Sequence, residues 1–344
     1  MLHFECDYAN GALGHIMDLM MQTNGEQTSG YGEDPYCERA RDLVRKACGA
    51  PDAAVYFVVG GTQANKIMIQ SVLKPYQGAV SADTGHINVH ETGTIEAGGH
   101  KVLPIPTEDG KITARQIREL VEELPGNMHV VQAGCVYISN PTETGTLYKK
   151  AELEAIRKVC DEFSLPLLLD GARLAYGLGF EDNDLTLEDY ARLCDVFYIG
   201  ATKCGALFGE GIVIPNRKIR EDLPYNIKQN GALLAKGRLL GLQFIGLFDE
   251  EQLYFKVGKR AAAQATRLHN ALLESGYELA YDSPTNQQFV IMTERELAKL
   301  RDRYVWSDNG RAGEGRRCVR FCTSWSTEDE DVDALIRDLK ALRA

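Results

Sequence analysis

The sequence predicts an α/β fold, with a large, mainly parallel sheet covered by helices on both faces and a smaller C-terminal α+β domain. Short and nearly continuous apolar runs alternate with amphipathic helical stretches through the first two thirds of the chain. Strands of parallel sheets have this composition because helices bury them on both faces. The last third changes to two strands around a helix, which is typical of a separate α+β unit.

Five apolar runs are predicted as strands of the large sheet, and each of them runs into a glycine or a polar residue. They cover residues 53–59, 78–82, 134–139, 165–170 and 195–200. Apolar residues at helical spacing follow the first and the third of these strands, at residues 62–73 and 149–163.

The change of pattern also predicts a division into two domains. Residues 1–245 are expected to form an N-terminal segment and the large domain, which holds the ligand. Residues 246–344 are expected to form the small domain.

The composition favours a small-molecule substrate over a charged polymer. Lys and Arg number 38 against 49 Asp and Glu, and the net charge of −11 argues against nucleic acid or an anionic membrane as a partner. No apolar stretch is long enough to span a membrane, and residues 1–12 lack the regions of an export signal, so we expect a cytoplasmic protein. Nine cysteines without a C-x-x-C pair indicate reduced thiols. His86 and His90 lack an evident third ligand, so we expect no metal site.

Lys203 stands alone as a positive charge within the apolar, glycine-rich segment 196–211. An ammonium group drawn out of water is costly, and it responds by losing its proton. A neutral lysine is a nucleophile, which predicts covalent catalysis by an amine. The alternative is a loop lysine that extends to solvent.

Other groups with chemical potential follow the remaining strands. Ligands of open parallel sheets bind outside the carboxyl ends of the strands. Those ends carry Gly60-Gly61-Thr62, His86, Asn140, Asp170 with Arg173, and Lys203. We therefore expect these side chains to meet at one edge of the sheet.

Each of these groups has one ligand-binding interpretation and one ordinary structural one. Gly61 and Thr62 present free N–H groups at a helix start, which suit a phosphate, although a tight turn explains them too. His86 could stack on a flat ring or lie in the core. Asp170 needs a cationic or N–H partner, either a pyridinium nitrogen or a helix start. Arg173 matches a carboxylate, or pairs with Asp170.

Taken together, these groups describe a site for pyridoxal 5'-phosphate (PLP). A phosphate site, a ring to stack on the cofactor, an acid for its ring nitrogen and an amine nucleophile are the parts that hold PLP as a Schiff base. The sequence therefore predicts PLP as the cofactor, with Lys203 as the imine lysine.

The chain resembles the fold-type I PLP enzymes over nearly its whole length, and most closely the threonine aldolase and β-eliminating lyase family. The most specific segments are GYGEDPYCERA, FVVGGTQAN, DTGHINVHETG, LLLDGARL and the ATK lysine. The resemblance implies that Arg173 meets oxygens of the substrate or the cofactor. It assigns the cofactor contacts as follows: phosphate at Gly61 and Thr62, the stacked ring on His86, the ring nitrogen at Asp170, and the Schiff base at Lys203 beside Thr202.

Three further residues are assigned through the resemblance. Arg320 matches the small-domain arginine that binds the α-carboxylate of the substrate, with a core-edge salt bridge as the alternative. Asn140, in ISNPTETG, is similar to the aminotransferase asparagine that bonds the phenolic oxygen of the ring. Tyr31, in GYGEDPY, is expected in the substrate pocket, with packing on its own helix as the alternative.

The resemblance implies a PLP-dependent carbon–carbon lyase of the threonine aldolase type. Such an enzyme cleaves the Cα–Cβ bond of a β-hydroxy-α-amino acid, such as L-threonine or L-allo-threonine, to glycine and an aldehyde. The alternatives are a β-eliminating lyase or an aminotransferase on the same scaffold, or a protein with the fold and no activity. Cleavage needs a base for the β-hydroxyl, for which we favour His86 over His90 and Glu91. The resemblance also implies a homodimer or homotetramer.

Overall fold

The computed structural model describes residues 1–124, 127–219 and 221–343. Its strands are β1 (Leu2–His3), β2 (Ala54–Val58), β3 (Gln77–Ala82), β4 (Lys101–Ile105), β5 (Gln132–Ser139), β6 (Leu167–Asp170), β7 (Val196–Gly200), β8 (Glu210–Ile214), β9 (Glu278–Leu279), β10 (Gln287–Thr293), β11 (Tyr304–Val305), β12 (Ser307–Arg311) and β13 (Arg316–Cys322). Its α-helices are α1 (Gly14–Thr23), α2 (Pro35–Ala47), α3 (Gly61–Gln70), α4 (His86–Val89), α5 (Thr94–Ala97), α6 (Ala114–Glu123), α7 (Lys150–Glu162), α8 (Leu174–Gly179), α9 (Leu187–Leu193), α10 (Leu223–Gln229), α11 (Arg238–Phe248), α12 (Leu253–Glu274), α13 (Glu294–Leu300) and α14 (Asp329–Arg343).

A seven-stranded sheet in the order β2-β8-β7-β6-β5-β3-β4 forms the centre of the large domain. Neighbouring strands from β4 to β7 pair in parallel, whereas β8 runs antiparallel to both β7 and β2. The predicted α/β class with a mainly parallel sheet is confirmed. The sequence analysis did not predict β4 and β8. Strand β8 is antiparallel because the connection from β7, residues 201–209, is too short for a crossover helix.

Both faces of this sheet are buried, as the apolar strands predict. On β5, Val136 and Ile138 belong to one apolar cluster, and Cys135 and Tyr137 belong to a second cluster on the opposite face. Successive residues of a strand point to opposite faces, so each face needs its own layer of helices. This double cover excludes water from the strand interiors and leaves the carboxyl ends as the accessible edge.

The small domain is built on a four-stranded sheet in the order β12-β13-β10-β9. Its apolar core includes Phe4, and β1 pairs in parallel with β11, so the N-terminal residues pack on the C-terminal unit. The boundary placed between residues 245 and 246 falls inside α11, where Phe244 and Phe248 belong to the core of the large sheet. The division at residue 245 therefore stays a prediction, and these contacts show which segments cross it.

Helices α8 and α12 touch through their backbones, and this contact ties the large sheet to the helix that leads into the small domain. A Cβ on Gly258 would lie 2.0 Å from the carbonyl oxygen of Ala175. A Cβ on Gly179 would lie 2.3 Å from the carbonyl carbon of Gly258. No helix within the described ranges has the length and apolar character that crossing a membrane requires.

The close approach predicts a large cost for a methyl group at Gly258. We expect Gly258→Ala to lower the free energy of unfolding by about 3 kcal/mol, because backbone must move to make room. The measurement is urea denaturation followed by circular dichroism. Gly14→Ala is the matched control, because a Cβ there meets nothing within 4 Å and the residue begins a helix. Equal stability of the two variants would contradict the packing described.

Candidate active site

The carboxyl ends of the parallel strands border a cavity of about 610 Å³ between the large sheet and the small domain. The large domain contributes the predicted Lys203, His86 and Arg173, and the small domain contributes Arg320. The same cavity is lined by His90, which was considered as a base, and by residues without a predicted role in catalysis or binding, which are Tyr8, Glu143, Gln287, Phe289, Ser307, Asp308 and Asn309. The volume is typical of a small-molecule site.

Lys203 lies in the turn that follows β7, with its side chain at the cavity. Within residues 1–124, 127–219 and 221–343, no hydrogen bond or ion pair holds its Nζ, while the hydroxyl of Tyr176 donates to its carbonyl oxygen. Burial lowers the pKa of Lys203, and the positive charge of Arg173 acts in the same direction. The opposing attraction of Asp7, Asp170 and Glu210 is smaller in sum. The geometry thus favours an uncharged amine facing the cavity.

Asp170, at the end of β6, accepts four hydrogen bonds. Its Oδ2 receives the hydroxyl of Tyr137 at 2.6 Å and the amide of Asn65 at 2.9 Å. Its Oδ1 receives the hydroxyl of Tyr198 at 2.5 Å and the backbone N–H of Ala172 at 2.9 Å. These donors fix the carboxylate to β5, β7, α3 and the turn after β6.

The Asp170 carboxylate is ionised although it is only 4% exposed. Burial raises its pKa, but the charge of His86 and the hydrogen bonds from Tyr137 and Tyr198 outweigh it, and the pKa is lowered. No Lys or Arg in the described ranges forms an ion pair with Asp170, so Arg173 is not its partner. A buried anion without a cation fits a ligand that brings a positive charge.

His86 begins α4 and is joined to Asp170 through two buried side chains. Its Nδ1 lies 2.8 Å from Oε1 of Glu91, and the same oxygen accepts the Asn65 amide at 2.7 Å. Burial acts to lower the pKa of His86, but Glu91 and the charge of Asp170 raise it overall. The Glu91 side chain has no exposed surface, so it orients His86 and does not contact a ligand.

Arg173 forms a two-point ion pair with Asp7, a residue from the N-terminal segment. Its Nε lies 2.7 Å from Oδ2, its Nη2 lies 3.1 Å from Oδ1, and Asn286 donates to Oδ2 at 2.9 Å. Burial acts against the Asp7 anion, but Arg173, Lys203 and Asn286 together lower its pKa to about 2. The pair holds the guanidinium in place at the cavity wall.

Arg320, on β13, makes no ion pair in the part of the chain that the structure describes. Its Nη1 donates to Oε1 of Gln287 at 2.8 Å and its Nη2 donates to the carbonyl of Glu5 at 2.9 Å, while its Nε is buried without a partner. The alternative of a core-edge salt bridge is therefore not observed. The guanidinium keeps its full charge available for a carboxylate in the cavity.

The start of α3 has the form expected of a phosphate site. Gly60 is extended, and the first N–H groups of the helix, at Gly61 and Thr62, have no acceptor within the helix. A Cβ on Gly61 would lie 2.9 Å from the hydroxyl of Tyr198, so glycine lets the helix start approach β7. Thr202 is engaged within its own turn, because its Oγ1 lies 2.8 Å from Oε1 of Glu210. Its contact with a cofactor stays a prediction.

The cavity lining lacks six of the predicted site residues, which are Gly61, Thr62, Asn140, Asp170, Thr202 and Tyr31. For Asn140 and Tyr31 the side-chain contacts in the single chain differ from the predicted ones. Asn140 is fully buried, donates to the hydroxyl of Tyr190 at 2.7 Å and accepts the N–H of Tyr148 at 3.0 Å. Both amide atoms are thus used to hold the turn after β5, and the predicted cofactor contact finds no support in this geometry. Tyr31 lies on another face beside Lys228, whose Nζ is 4.9 Å from its ring, so its contact with substrate stays a prediction that needs a second copy.

Sequence reasoning missed the residues that connect the predicted ones. Asn65 lies on the buried face of α3, one turn after Gly61, and a polar residue at that position is a signal that could have been used. Tyr137 and Tyr198 lie inside apolar strands, where a hydroxyl needs a partner. Glu91 was considered as a base, but its contact with His86 was not predicted, and Glu143 carries no signal in the sequence that separates it from surface acids.

The structure is thus an α/β fold in which Lys203, His86, Arg173 and Arg320 line one cavity at the carboxyl ends of the parallel strands. The family model described as "Beta-eliminating lyase" matches residues 4–295 of this chain. The chain belongs to the beta-eliminating lyase family, as the sequence predicted.

Individual relatives agree with this membership. A protein named low specificity L-threonine aldolase from Pseudomonas sp. (strain NCIMB 10558) is 32% identical, over 98% of this chain and 97% of its own length. The structure of a threonine aldolase from Leishmania major is 42% identical with a TM-score of 0.98, over 100% of both chains. An aspartate aminotransferase from Thermus thermophilus, at 14% identity and a TM-score of 0.73, covers 99% of this chain and 91% of its own and shares the fold. The predicted fold class and the predicted aldolase-type lyase are confirmed.

The Arg173–Asp7 pair predicts a distinct pH dependence of stability. The pKa of Asp7 is lowered to about 2 in the folded chain, so its contribution is complete above about pH 4 and is lost as the pH falls towards 2. We expect Asp7→Asn to lower the free energy of unfolding by about 3 kcal/mol at pH 7, because Arg173 is then buried without a partner.

The check is urea denaturation of both proteins at pH 7, 4 and 3. The difference in the free energy of unfolding between wild type and Asp7→Asn should become smaller as the pH falls. The control Asp18→Asn, at an exposed residue, should have the same free energy of unfolding as the wild type at each pH. A gap that is constant from pH 7 to pH 3 would show that Asp7 is not held as the anion.

Proposed function

We propose that this chain binds PLP and cleaves the Cα–Cβ bond of a β-hydroxy-α-amino acid, such as L-threonine or L-allo-threonine, to glycine and an aldehyde. The observation that carries the proposal is the cavity itself, which is lined by both Lys203 and Arg320, neither of which forms an ion pair within the described ranges. The names of the relatives, low specificity L-threonine aldolase and threonine aldolase, support the same substrate class.

The residues present fit PLP. Asp170 is a buried anion without a cationic partner among the described residues, which suits a protonated ring nitrogen. The start of α3 offers N–H groups and a positive dipole end for the phosphate, at a glycine where a Cβ would meet Tyr198. Lys203 would supply the covalent attachment and His86 the face for the ring. When bound, PLP supplies an electron-withdrawing ring that accepts the electron pair released when a bond to Cα breaks.

Lys203 acts as the nucleophile because burial and the charge of Arg173 lower its pKa, which favours the uncharged amine. A protonated amine has no lone pair to attack an aldehyde, so this environment is a condition for attachment. The pKa of Asp170 is lowered, so its carboxylate would keep a proton on the ring nitrogen of bound PLP. The hydrogen bonds through Asn65 and Glu91 fix the orientation of His86 relative to Asp170.

Arg320 orients the substrate. Its guanidinium binds the α-carboxylate, and Gln287 and the Glu5 carbonyl fix its plane. The position of the carboxylate determines which bond to Cα lies perpendicular to the ring and breaks. Arg173, held by Asp7, adds a second fixed positive charge at the same wall.

The proposal includes a homodimer or homotetramer located in the cytoplasm. A homodimer or homotetramer would bring Tyr31 and Lys228, which lie outside the cavity of their own chain, towards the cavity of a neighbour. The nine cysteines are free, which supports the reducing environment of the cytoplasm.

The proposal predicts the products of a simple incubation. The purified protein supplied with PLP should convert L-allo-threonine to equal amounts of glycine and acetaldehyde, and Lys203→Ala should form neither above background. Amino acid analysis and an alcohol dehydrogenase assay measure the two products. Pyruvate and ammonia from L-serine, or amino transfer to a keto acid, at higher rates than cleavage would assign the chain to the elimination or aminotransferase reaction instead.

A further inference from the structure

We propose that Glu143 is a catalytic residue that accepts the proton of the substrate's β-hydroxyl during cleavage. This inference rests on the proposed function and names the base that this function requires. The sequence analysis favoured His86 for that role, and the structure provides the reasons for the change.

Glu143 lies in the turn after β5, at the wall of the cavity. Its Oε1 accepts the hydroxyl of Ser139 at 2.6 Å and the backbone N–H of His86 at 3.0 Å. Its Oε2 accepts no hydrogen bond from another residue in the described ranges, although the backbone N–H of Glu143 itself donates to the carboxyl group, and the side chain lines the cavity. One oxygen is thus fixed by two donors, and the other is open to a ligand.

The three candidates considered from the sequence are less suited to take a proton. His86 is hydrogen bonded to Glu91, and its raised pKa favours the protonated ring, which has no free lone pair. Glu91 is enclosed, and its Oε1 already serves His86 and Asn65. His90 lines the cavity, but it is exposed and no hydrogen bond in the described ranges fixes its ring.

The electrostatic surroundings of Glu143 make its carboxylate a stronger base than a solvated one. Burial raises the pKa of its carboxyl and the charge of Asp170 adds to this effect, while the Ser139 hydrogen bond, its own backbone N–H and His86 oppose it. A carboxylate with a raised pKa accepts a proton more readily.

The step balances without a further reactant. The O–H bond of the β-hydroxyl breaks and its proton passes to Oε2 of Glu143. The electron pair of that O–H bond forms the carbonyl of the aldehyde. The electron pair of the Cα–Cβ bond stays with Cα, and PLP, when bound, would accept it. Cα later gains one proton to give glycine, and Glu143 returns one to solvent, so no net oxidation occurs.

The test separates cleavage from proton transfer at Cα, which uses no β-hydroxyl. The holoenzyme is assayed for cleavage of L-allo-threonine and for exchange of the α-proton of glycine in deuterium oxide by NMR. In Glu143→Gln the carboxamide oxygen can still accept the hydrogen bonds from Ser139 and His86. We expect kcat for cleavage to fall at least 100-fold, with glycine exchange and the absorbance of the bound cofactor within about threefold of wild type.

Two variants serve as comparisons. Glu154→Gln makes the same change on the exposed surface of α7 and should match the wild type in both reactions. Glu143→Asp keeps the charge but withdraws it by one methylene, so cleavage should be intermediate between wild type and Glu143→Gln. This variant keeps the proposal testable where Glu143→Gln does not fold.

Several results would overturn the assignment. Cleavage by Glu143→Gln within threefold of wild type excludes the carboxylate as the base, and a parallel fall of cleavage and exchange assigns Glu143 a structural role. A selective loss of cleavage in His90→Gln, with Glu143→Gln active, moves the base to His90. A wild type that exchanges glycine but cleaves no β-hydroxy amino acid refutes the proposed function itself, which distinguishes the two failures.

Discussion

Among the residues that the structure describes, Lys203 has no acidic partner, because the carboxylates close to it are held by other donors. Asp7 is paired with Arg173, Asp170 accepts four hydrogen bonds, and Glu210 accepts the Thr202 hydroxyl and the N–H of Ala201. Each acid is near enough to act on the pKa of Lys203, but burial and Arg173 prevail. The chemistry of the cavity depends on this distribution of partners, since a salt bridge would turn the amine into an inert ammonium.

The fold produces this distribution by bringing distant segments together. Asp7 comes from the N-terminal segment that packs on the small domain, while Arg173 follows β6 of the large sheet. Their ion pair therefore ties the two units at the cavity, and Asn286 adds a second small-domain contact to the same carboxylate. The Asp7 anion thus has a part in domain packing and in keeping Lys203 free.

Much of this arrangement could be predicted from the sequence, because strand ends in a parallel sheet must meet at one edge. Lys203, Asp170, His86 and Gly61 were predicted as site residues in that way. Asn65, Glu91 and Tyr137 could not be placed, since their role depends on contacts between elements that no local pattern reports. Asn140 follows the same rule of strand ends, yet its amide serves the turn, because position at an edge does not fix the direction of a side chain.

Borohydride reduction of the protein saturated with PLP, followed by digestion and mass spectrometry, shows directly whether Lys203 is the amine that binds the cofactor. Reduction fixes the cofactor to whichever amine has attacked it, so the label reports the lysine that is uncharged and accessible. We expect one pyridoxyl group per chain, on Lys203. A label on another lysine, or none at all, would contradict it.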